Sequence, residues 1–135
     1  MKIGFDTNVL VHAFDPTDMV KHSACSHSLE RVFAGQDQGA VSAQVLAEFA
    51  FVMTCKMKNP MPREAVERLI RAIRTSASWT VFTYTAEDVE AAVTGGGPFW
   101  DSLIANTLWR NGVRTIVTYN GRDFVKSGLT VRIPA

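Results

Sequence analysis

The chain has 135 residues, of which 47% are hydrophobic and 20% charged, a composition typical of one folded domain with its own core. Its 14 basic and 13 acidic residues give a net charge of +1, which excludes a general positive field and leaves any nucleic-acid binding to a local patch. No apolar run reaches the roughly 18 residues of a membrane span and no secretory signal is apparent, so we expect a cytoplasmic protein without membrane contact.

The segment Lys2 to Leu10 starts with an apolar run that ends abruptly at Asp6, Thr7 and Asn8. This pattern predicts a buried strand that delivers Asp6 to the edge of a sheet. Ligands of open parallel sheets bind beyond the carboxyl ends of the strands, where a carboxylate is well placed for chemistry. The same side chains are also good helix N-caps, and from this segment alone capping is at least as good an interpretation as catalysis.

The next elements predict a helix over Met19–Ala34, a short strand over Ala40–Ser42 and a largely buried helix from Ala43 to about Met57. Glu48 lies in the middle of the third of these. A buried, unpaired carboxylate is costly, so Glu48 either reaches solvent, pairs with a cation or binds a metal ion. A narrow solvent-facing stripe and a functional carboxylate remain equally open here.

A further helix is predicted over Arg63–Thr75, with an apolar stripe on one side and arginines on the other. The arginines are candidate contacts for nucleic-acid phosphates, together with lysines in the preceding loop. These basic residues are Lys56, Lys58, Arg63, Arg68 and Arg71. Alternatively, glutamates one turn earlier pair with the arginines and simply make the helix soluble.

The second half of the chain continues the alternation of strands and helices. Trp79–Tyr84 alternates like a strand, and a short helix then runs from Thr85 to the glycines at 95–97. A helix from Pro98 to Arg110 carries Asp101 in its first turn, where the helix dipole favours a carboxylate whether or not it takes part in chemistry.

A β-branched run over Thr115–Tyr119 predicts a buried parallel strand, which Asn120 and then Asp123 follow. Leu129–Ile133 predicts a last strand at the edge of the sheet. The whole pattern is that of an α/β fold.

Four acids are thus placed by these elements: Asp6 after the first strand, Glu48 on a buried helix, Asp101 at a helix start and Asp123 just after the fourth strand. Right-handed crossovers bring the ends of parallel strands to one side of the sheet, so these carboxylates should converge there. They would repel one another unless a divalent cation neutralised them, and Mg²⁺ prefers such oxygen ligands. No Lys or His is placed as an obvious general base, so the chemistry indicated is metal-assisted phosphodiester hydrolysis.

Four ordered motifs resemble those of the PIN-domain family, and specifically of the VapC-type toxins of bacterial toxin–antitoxin pairs. The motifs are Asp6–Leu10, Ala43–Phe49 with Glu48, Phe99–Ala105 with Asp101, and Thr118–Phe124 with Asp123. The match covers essentially the whole chain, and the four motifs are far more specific together than singly.

The resemblance implies that residues 1–135 form a single PIN-like nuclease domain, a three-layer fold with a central, mostly parallel β-sheet flanked by helices. It also implies an endoribonuclease that depends on Mg²⁺, for which Mn²⁺ may substitute. Such a toxin would act on RNA, form a homodimer and be inhibited by a small VapB-like antitoxin.

The resemblance further implies roles for individual residues. Asp6 and Asp101 would be the principal metal ligands, and Glu48 would complete the acidic cluster. Thr7, Asn8 and Thr118 would be polar supports around the site.

One departure from the family pattern concerns the fourth acid. Many relatives place it directly after the strand, where this chain has Asn120, and the nearest carboxylate is Asp123. Either residue could fill the fourth position, and a second metal ion is in doubt for the same reason.

Surplus apolar residues suggest where an antitoxin would dock, in a groove between the Ala43–Met57 and Arg63–Thr75 helices. They are Phe51, Met53, Met57 and Met61, and methionine-rich surfaces adapt well to helical partners. The alternative is that these residues fill the core or a dimer interface.

Two other classes of protein remain to be weighed. A PIN-like fold could instead serve other nucleic-acid processing, or be a catalytically weak binding module. A Mg²⁺-binding receiver domain would need an acid at the end of its middle strand, whereas here that strand ends near Tyr84 with no acid before Glu87.

Overall fold

The structure, a computed structural model that describes residues 1–135, contains five strands and six α-helices. The strands are β1 (Lys2–Phe5), β2 (Gln38–Ser42), β3 (Trp79–Phe82), β4 (Thr115–Val117) and β5 (Thr130–Arg132). The helices are α1 (Thr7–Phe14), α2 (Met19–Phe33), α3 (Ala43–Phe51), α4 (Arg63–Thr75), α5 (Ala86–Thr94) and α6 (Phe99–Arg110). A π-helical turn, Val52–Lys56, extends α3, and a 3-10 turn, Gly121–Phe124, follows β4.

The five strands form one sheet in the order β3-β2-β1-β4-β5, and every neighbouring pair is parallel. The chain steps outward from β1 to β2 and β3, then returns to β4 on the other side of β1. The strand order therefore reverses at β1, and ligands of open α/β sheets bind at such a reversal. The predicted α/β fold is confirmed, with a sheet that is wholly rather than mostly parallel.

The first apolar run ends directly before Asp6, as predicted, and a short helix follows it. Strand β1 ends at Phe5, and Asp6 is the N-cap of α1, with its side chain accepting a hydrogen bond from the Thr7 backbone N–H. Capping is therefore the correct description of the local structure. It does not remove Asp6 from the edge of the sheet, because the cap residue of α1 is also the first residue after β1.

The other predicted elements lie close to their observed positions. Helix α4 has the predicted bounds, and the helix predicted from Ala43 to Met57 is α3 with its π-helical extension. Strands β3 and β4 begin at Trp79 and Thr115, as predicted, and each ends two residues earlier than predicted. No helix in the structure combines the length and the hydrophobicity needed to cross a bilayer.

The four apolar residues predicted to bind an antitoxin have different environments. Met53 is only 1% exposed and belongs to the hydrophobic core, so the prediction that it contacts a partner is wrong. Met57 and Met61 are half-buried against the core, while Phe51 is exposed.

The Leu108 side chain of helix α6 packs directly over Gly4 of the central strand. A Cβ atom at Gly4 would approach Leu108 Cδ1 to 2.7 Å and the Thr115 carbonyl oxygen to 3.1 Å. Only glycine permits this approach without displacement of a neighbour. This contact packs the helix that carries Asp101 against the strand that precedes Asp6.

Asp88 and Arg110 join α5 to α6 at the far end of that helix. Asp88 is buried, accepts hydrogen bonds from Arg110 at 2.9–3.1 Å and completes a capping box with Thr85. Burial alone would raise the pKa of Asp88, but the hydrogen bonds from Arg110 and Thr85 outweigh it and lower the pKa below its usual value. Arg110 also donates to the Thr83 carbonyl oxygen at 2.9 Å, so one side chain connects α6, α5 and the end of β3.

We expect Asp88→Ala to lower the free energy of unfolding by about 2–3 kcal/mol, since it removes a cap and leaves Arg110 without its carboxylate. Because the pKa of Asp88 is lowered in the folded state, its stabilisation is present above the unfolded pKa and is lost as the pH falls below it. Urea unfolding at pH 7 and at pH 3 measures both effects.

Asp37→Ala is the matched control, because its ion pair with Arg31 is more exposed. It should cost less than about 1 kcal/mol. Equal losses for the two variants would contradict a special role for Asp88.

Candidate active site

The buried carboxylate at the end of the central strand is Asp6, which is 4% exposed. Its Oδ1 accepts a hydrogen bond from the Thr7 backbone N–H at 2.7 Å, and its Oδ2 accepts one from the Thr118 hydroxyl at 2.7 Å. Burial raises the pKa of Asp6, the hydrogen bonds from Thr118 and Thr7 lower it in part, and the charges of Glu48 and Asp123 raise it further. The net result is a raised pKa, so this site resists holding a negative charge by itself.

Asn8 connects the ends of β1 and β4. Its side-chain amide lies 3.3 Å from Asp6 Oδ2 and 3.3 Å from Thr118 Oγ1, and its carbonyl oxygen accepts from the Tyr119 backbone N–H at 3.3 Å. Thr118 Oγ1 also accepts from the Asn120 backbone N–H at 3.0 Å. The residues predicted as polar supports are therefore in direct contact with Asp6 or with one another.

Glu48 reaches the same edge of the sheet from α3. The Thr7 hydroxyl donates to Glu48 Oε1 at 2.6 Å, and the Gln44 amide lies 3.5 Å from Oε2. Gln44 and Glu48 are four residues apart and share one face of α3, which explains why the glutamate is not isolated among apolar neighbours. Thr7 thus links the Asp6 segment to Glu48.

Asp101 lies in the first turn of α6 and is half-buried. Burial, and then the charges of Asp6, Asp123 and Glu48, raise its pKa to about 6. No hydrogen-bond donor or cation of the chain compensates for this repulsion. Such an uncompensated carboxylate is typical of a functional site rather than of a helix cap.

Asn120 and Asp123 occupy different positions relative to this cluster. Asn120 lines the cleft beside Asp6, whereas Asp123 lies on the 3-10 turn and does not line it. Asp123 is nevertheless close enough to raise the pKa of both Asp6 and Asp101. Both therefore remain candidates for the fourth position.

The acidic side chains surround an open cleft of about 490 Å³. Its walls contain the predicted residues Asp6, Thr7, Asn8, Glu48, Asp101 and Asn120, and also Phe51 and Val52. Sequence reasoning missed Val11 and His12, which line the cleft from α1. The sequence signal for His12 was its i, i+4 spacing from Asn8, which places both side chains on one face of a helix. That signal can be used only once the segment is recognised as a helix.

The basic residues predicted to contact nucleic acid do not line this cleft. Arg63 and Arg71, with Arg74, line a different cavity between α4 and the end of α3. Lys56 lies over the Phe51 ring, with its Nζ 5.4 Å from the ring centroid, and Lys58 and Arg68 are exposed. Arg71 also pairs with Glu67, as the alternative interpretation requires.

The donor set fits a hard divalent cation. The acidic side chains of the cleft all offer carboxylate oxygens. Asp6 and Asp101 have pKa values that burial and repulsion by neighbouring carboxylates raise. No group of three or more His, Cys, Asp or Glu side chains is arranged to hold a metal ion. Mg²⁺ needs only one or two carboxylates, because it keeps several of its waters.

Comparisons by sequence find no matching family model and no matching curated protein. Comparison of structures finds VapBC2 from Rickettsia felis, bound to a DNA fragment from its promoter, with a TM-score of 0.69 and 20% identity over 98% of both chains. A toxin–antitoxin complex from Klebsiella pneumoniae gives a TM-score of 0.67 and 19% identity over 98% of both chains.

A third similar structure is VapC20 from Mycobacterium tuberculosis, described as a toxin that cleaves the sarcin–ricin loop. It gives a TM-score of 0.66 and 19% identity over 90% of this chain and 92% of its own. At such low identity the likeness establishes the fold. The predicted resemblance is confirmed at that level: the chain has the PIN-like α/β fold of the VapC-type toxin structures.

Proposed function

We propose that this chain is a metal-dependent endoribonuclease of the VapC type, the toxin of a type II toxin–antitoxin pair. The observation that carries the proposal is the meeting of Asp6, Glu48 and Asp101 in one cleft at the carboxyl edge of a PIN-like sheet. Three carboxylates without a cation of the chain among them are suited to binding a metal and unsuited to stabilising a fold.

Asp6 and Asp101, with Glu48, would hold Mg²⁺ or Mn²⁺. When bound, the ion would supply an activated water and stabilise the negative charge that develops on a phosphodiester during hydrolysis. Asn120 and Asp123 are the candidates for completing the acidic position next to it.

The chain's own residues keep this arrangement in place. The Thr118 hydroxyl and the Thr7 N–H hold the two oxygens of Asp6 in fixed directions. The Thr7 hydroxyl fixes one oxygen of Glu48, and the Gln44 amide lies 3.5 Å from the other. Each of these contacts reduces the reorganisation needed when RNA binds.

We also propose the partners that this function requires: a VapB-like antitoxin, a second copy of the chain as a homodimer, and a cytoplasmic RNA substrate. Phe51, Met57 and Met61 remain the candidates for antitoxin contact, since they are exposed or half-buried along α3 and the loop after it. The solved toxin–antitoxin complexes of similar fold support this part of the proposal.

The nuclease function predicts that purified protein cuts end-labelled total RNA at defined positions in Mg²⁺ or Mn²⁺ but not with chelator. Asp6→Asn and Asp101→Asn should each lower the rate by roughly 100-fold or more, because each removes a charged metal ligand. Gel analysis of the fragments measures both the rate and the cut sites.

Asp37→Asn is the control for this test, because Asp37 precedes β2 at the opposite edge of the sheet. It should cleave like wild type. If folded wild type and all variants are equally inert and calorimetry detects no divalent-ion binding, the nuclease proposal fails and a binding module becomes the better account.

Asp101→Asn should also change stability, because it removes a charge that the neighbouring carboxylates repel. The raised pKa of Asp101 means that its charge opposes folding above about pH 6 and that this penalty disappears as the pH falls toward the unfolded pKa. We therefore expect the variant, without metal at pH 7.5, to have a Tm roughly 1–3 °C above wild type, a modest gain since the carboxylate is partly exposed. The gain should shrink at pH 5.

Addition of Mg²⁺ should reverse this order, because the ion stabilises only the form that binds it. Wild type should gain stability with increasing Mg²⁺, and Asp101→Asn should gain less. The exposed residue Glu64 provides a control, and Glu64→Gln should follow wild type throughout. A variant that is less stable than wild type without metal would show that Asp101 mainly stabilises α6.

A further inference from the structure

A second cavity of about 470 Å³ lies beside the acidic cleft. Its walls are aromatic and apolar, formed by Ala43, Ala47, Phe51, Tyr84 and Trp100. Glu48 and Phe51 line both cavities, so the two adjoin along α3. A molecule with a phosphate at the acidic cleft would therefore have its neighbouring groups within reach of the aromatic walls.

Three aromatic side chains of this cavity are unusually exposed. Trp100 is 59% exposed, Phe51 54% and Tyr84 48%, and they come from α6, α3 and the segment after β3. Trp79, by contrast, is buried. Large rings that converge from separate elements without burying one another indicate a binding surface rather than incomplete packing.

Trp100 is positioned through both its backbone and its ring. The Gln44 amide donates to the Trp100 backbone carbonyl oxygen at 3.0 Å, which anchors the start of α6 to α3. The Phe99 ring packs against the Trp100 ring at 82°, with the two centroids 5.1 Å apart. A ring with a packed neighbour loses less conformational entropy when a ligand stacks on it.

Gln44 adds a polar side chain to the same wall. It is 8% exposed and its amide nitrogen is bonded, while its Oε1 is enclosed by the chain and has no donor there. Glu48 is the second polar side chain of the wall. The cavity therefore combines flat apolar walls with two polar groups, as a site for a planar, hydrogen-bonding ligand requires.

The charge of the chain points to the same kind of ligand. The net charge is +1, and the cleft itself is acidic, so phosphates are not attracted to this region by a positive field. Apart from Lys56 over the Phe51 ring, affinity for a nucleic acid here depends on uncharged contacts near the cleft. Stacking of unpaired bases on aromatic rings supplies such affinity without a requirement for particular bases.

We propose that this cavity is a base-binding subsite, in which Trp100, with Tyr84 and Phe51, stacks one unpaired base of a single-stranded RNA whose phosphate lies at the acidic cleft. The inference rests on the proposed nuclease function, since it assigns a substrate contact to that site. It restricts the substrate to RNA with a base free of its helix, because a base inside a duplex cannot enter the cavity.

The test measures binding separately from cleavage. Asp101→Asn, which silences the chemistry, is combined with Trp100→Ala, Trp100→Phe or Trp109→Ala. Fluorescence anisotropy in Mg²⁺ then gives the affinity for fluorescein-labelled oligo(A), oligo(U) and oligo(C) decamers. Trp109 is the matched control, because it is also exposed, at 42%, but lies outside the cavity and stacks under Arg114.

We expect Trp100→Ala to weaken binding of the best decamer by roughly 5- to 150-fold, the usual range for loss of one stacked base. Trp100→Phe should retain part of the affinity, because it keeps a ring, and Trp109→Ala should retain all of it. The loss should persist at raised salt, since stacking, unlike phosphate contact, is insensitive to counterions. Thermal melts confirm that each variant is folded.

Equal affinities for the Trp100→Ala and Trp109→Ala proteins would overturn the inference, and a segment of a protein partner would become the better occupant of the cavity. That result would leave the nuclease proposal intact if wild type still cleaves RNA. Conversely, Trp100-dependent binding by a protein that never cleaves RNA would refute the nuclease proposal and keep the base-binding subsite.

Discussion

The structure of the site depends on one constraint, the burial of the Asp6 carboxylate at the end of the central strand. A buried charge is tolerated only when donors or cations surround it, and the chain provides donors alone. The Thr118 hydroxyl and the Thr7 N–H each donate to one oxygen of Asp6. Strand β4 must therefore end, and helix α1 must begin, at this point. Asn8 and Glu48 are then placed by their bonds to Thr118 and Thr7.

Most of the fold could be predicted because its signals are local. Buried parallel strands are continuous apolar runs, and the caps at Asp18, Ser42 and Thr85 lie where helices begin. Helix α1 was only an alternative interpretation, because Val9–Val11 has the composition of a strand. The burial of Met53 could not be predicted, since it depends on how the π-helical turn faces α4 and not on the residues beside it.

The acids of the site could be predicted by type and position in the chain, and their environments could not. Asp6 and Asp101 follow the rule that functional carboxylates lie where parallel strands end and helices begin. Which of Asn120 and Asp123 approaches the cleft depends on the path of the 3-10 turn after β4. The aromatic cavity escaped prediction for a similar reason, because Phe51, Tyr84 and Trp100 are separated in sequence and meet only in the folded chain.

One face of α3 connects these observations. Gln44, Glu48 and Phe51 are spaced i, i+4 and i+7, so they form a single stripe, while Val45 and Phe49 on the opposite side enter the core. From N- to C-terminus the stripe contacts Trp100, then the acidic cleft, then the mouth shared by both cavities. The helix therefore sets the distance between the proposed base-binding subsite and the proposed metal ligands. Because its inner face is locked into the core, that distance is fixed before any RNA arrives, and the register of the bound strand would follow from the helix rather than from attraction between opposite charges.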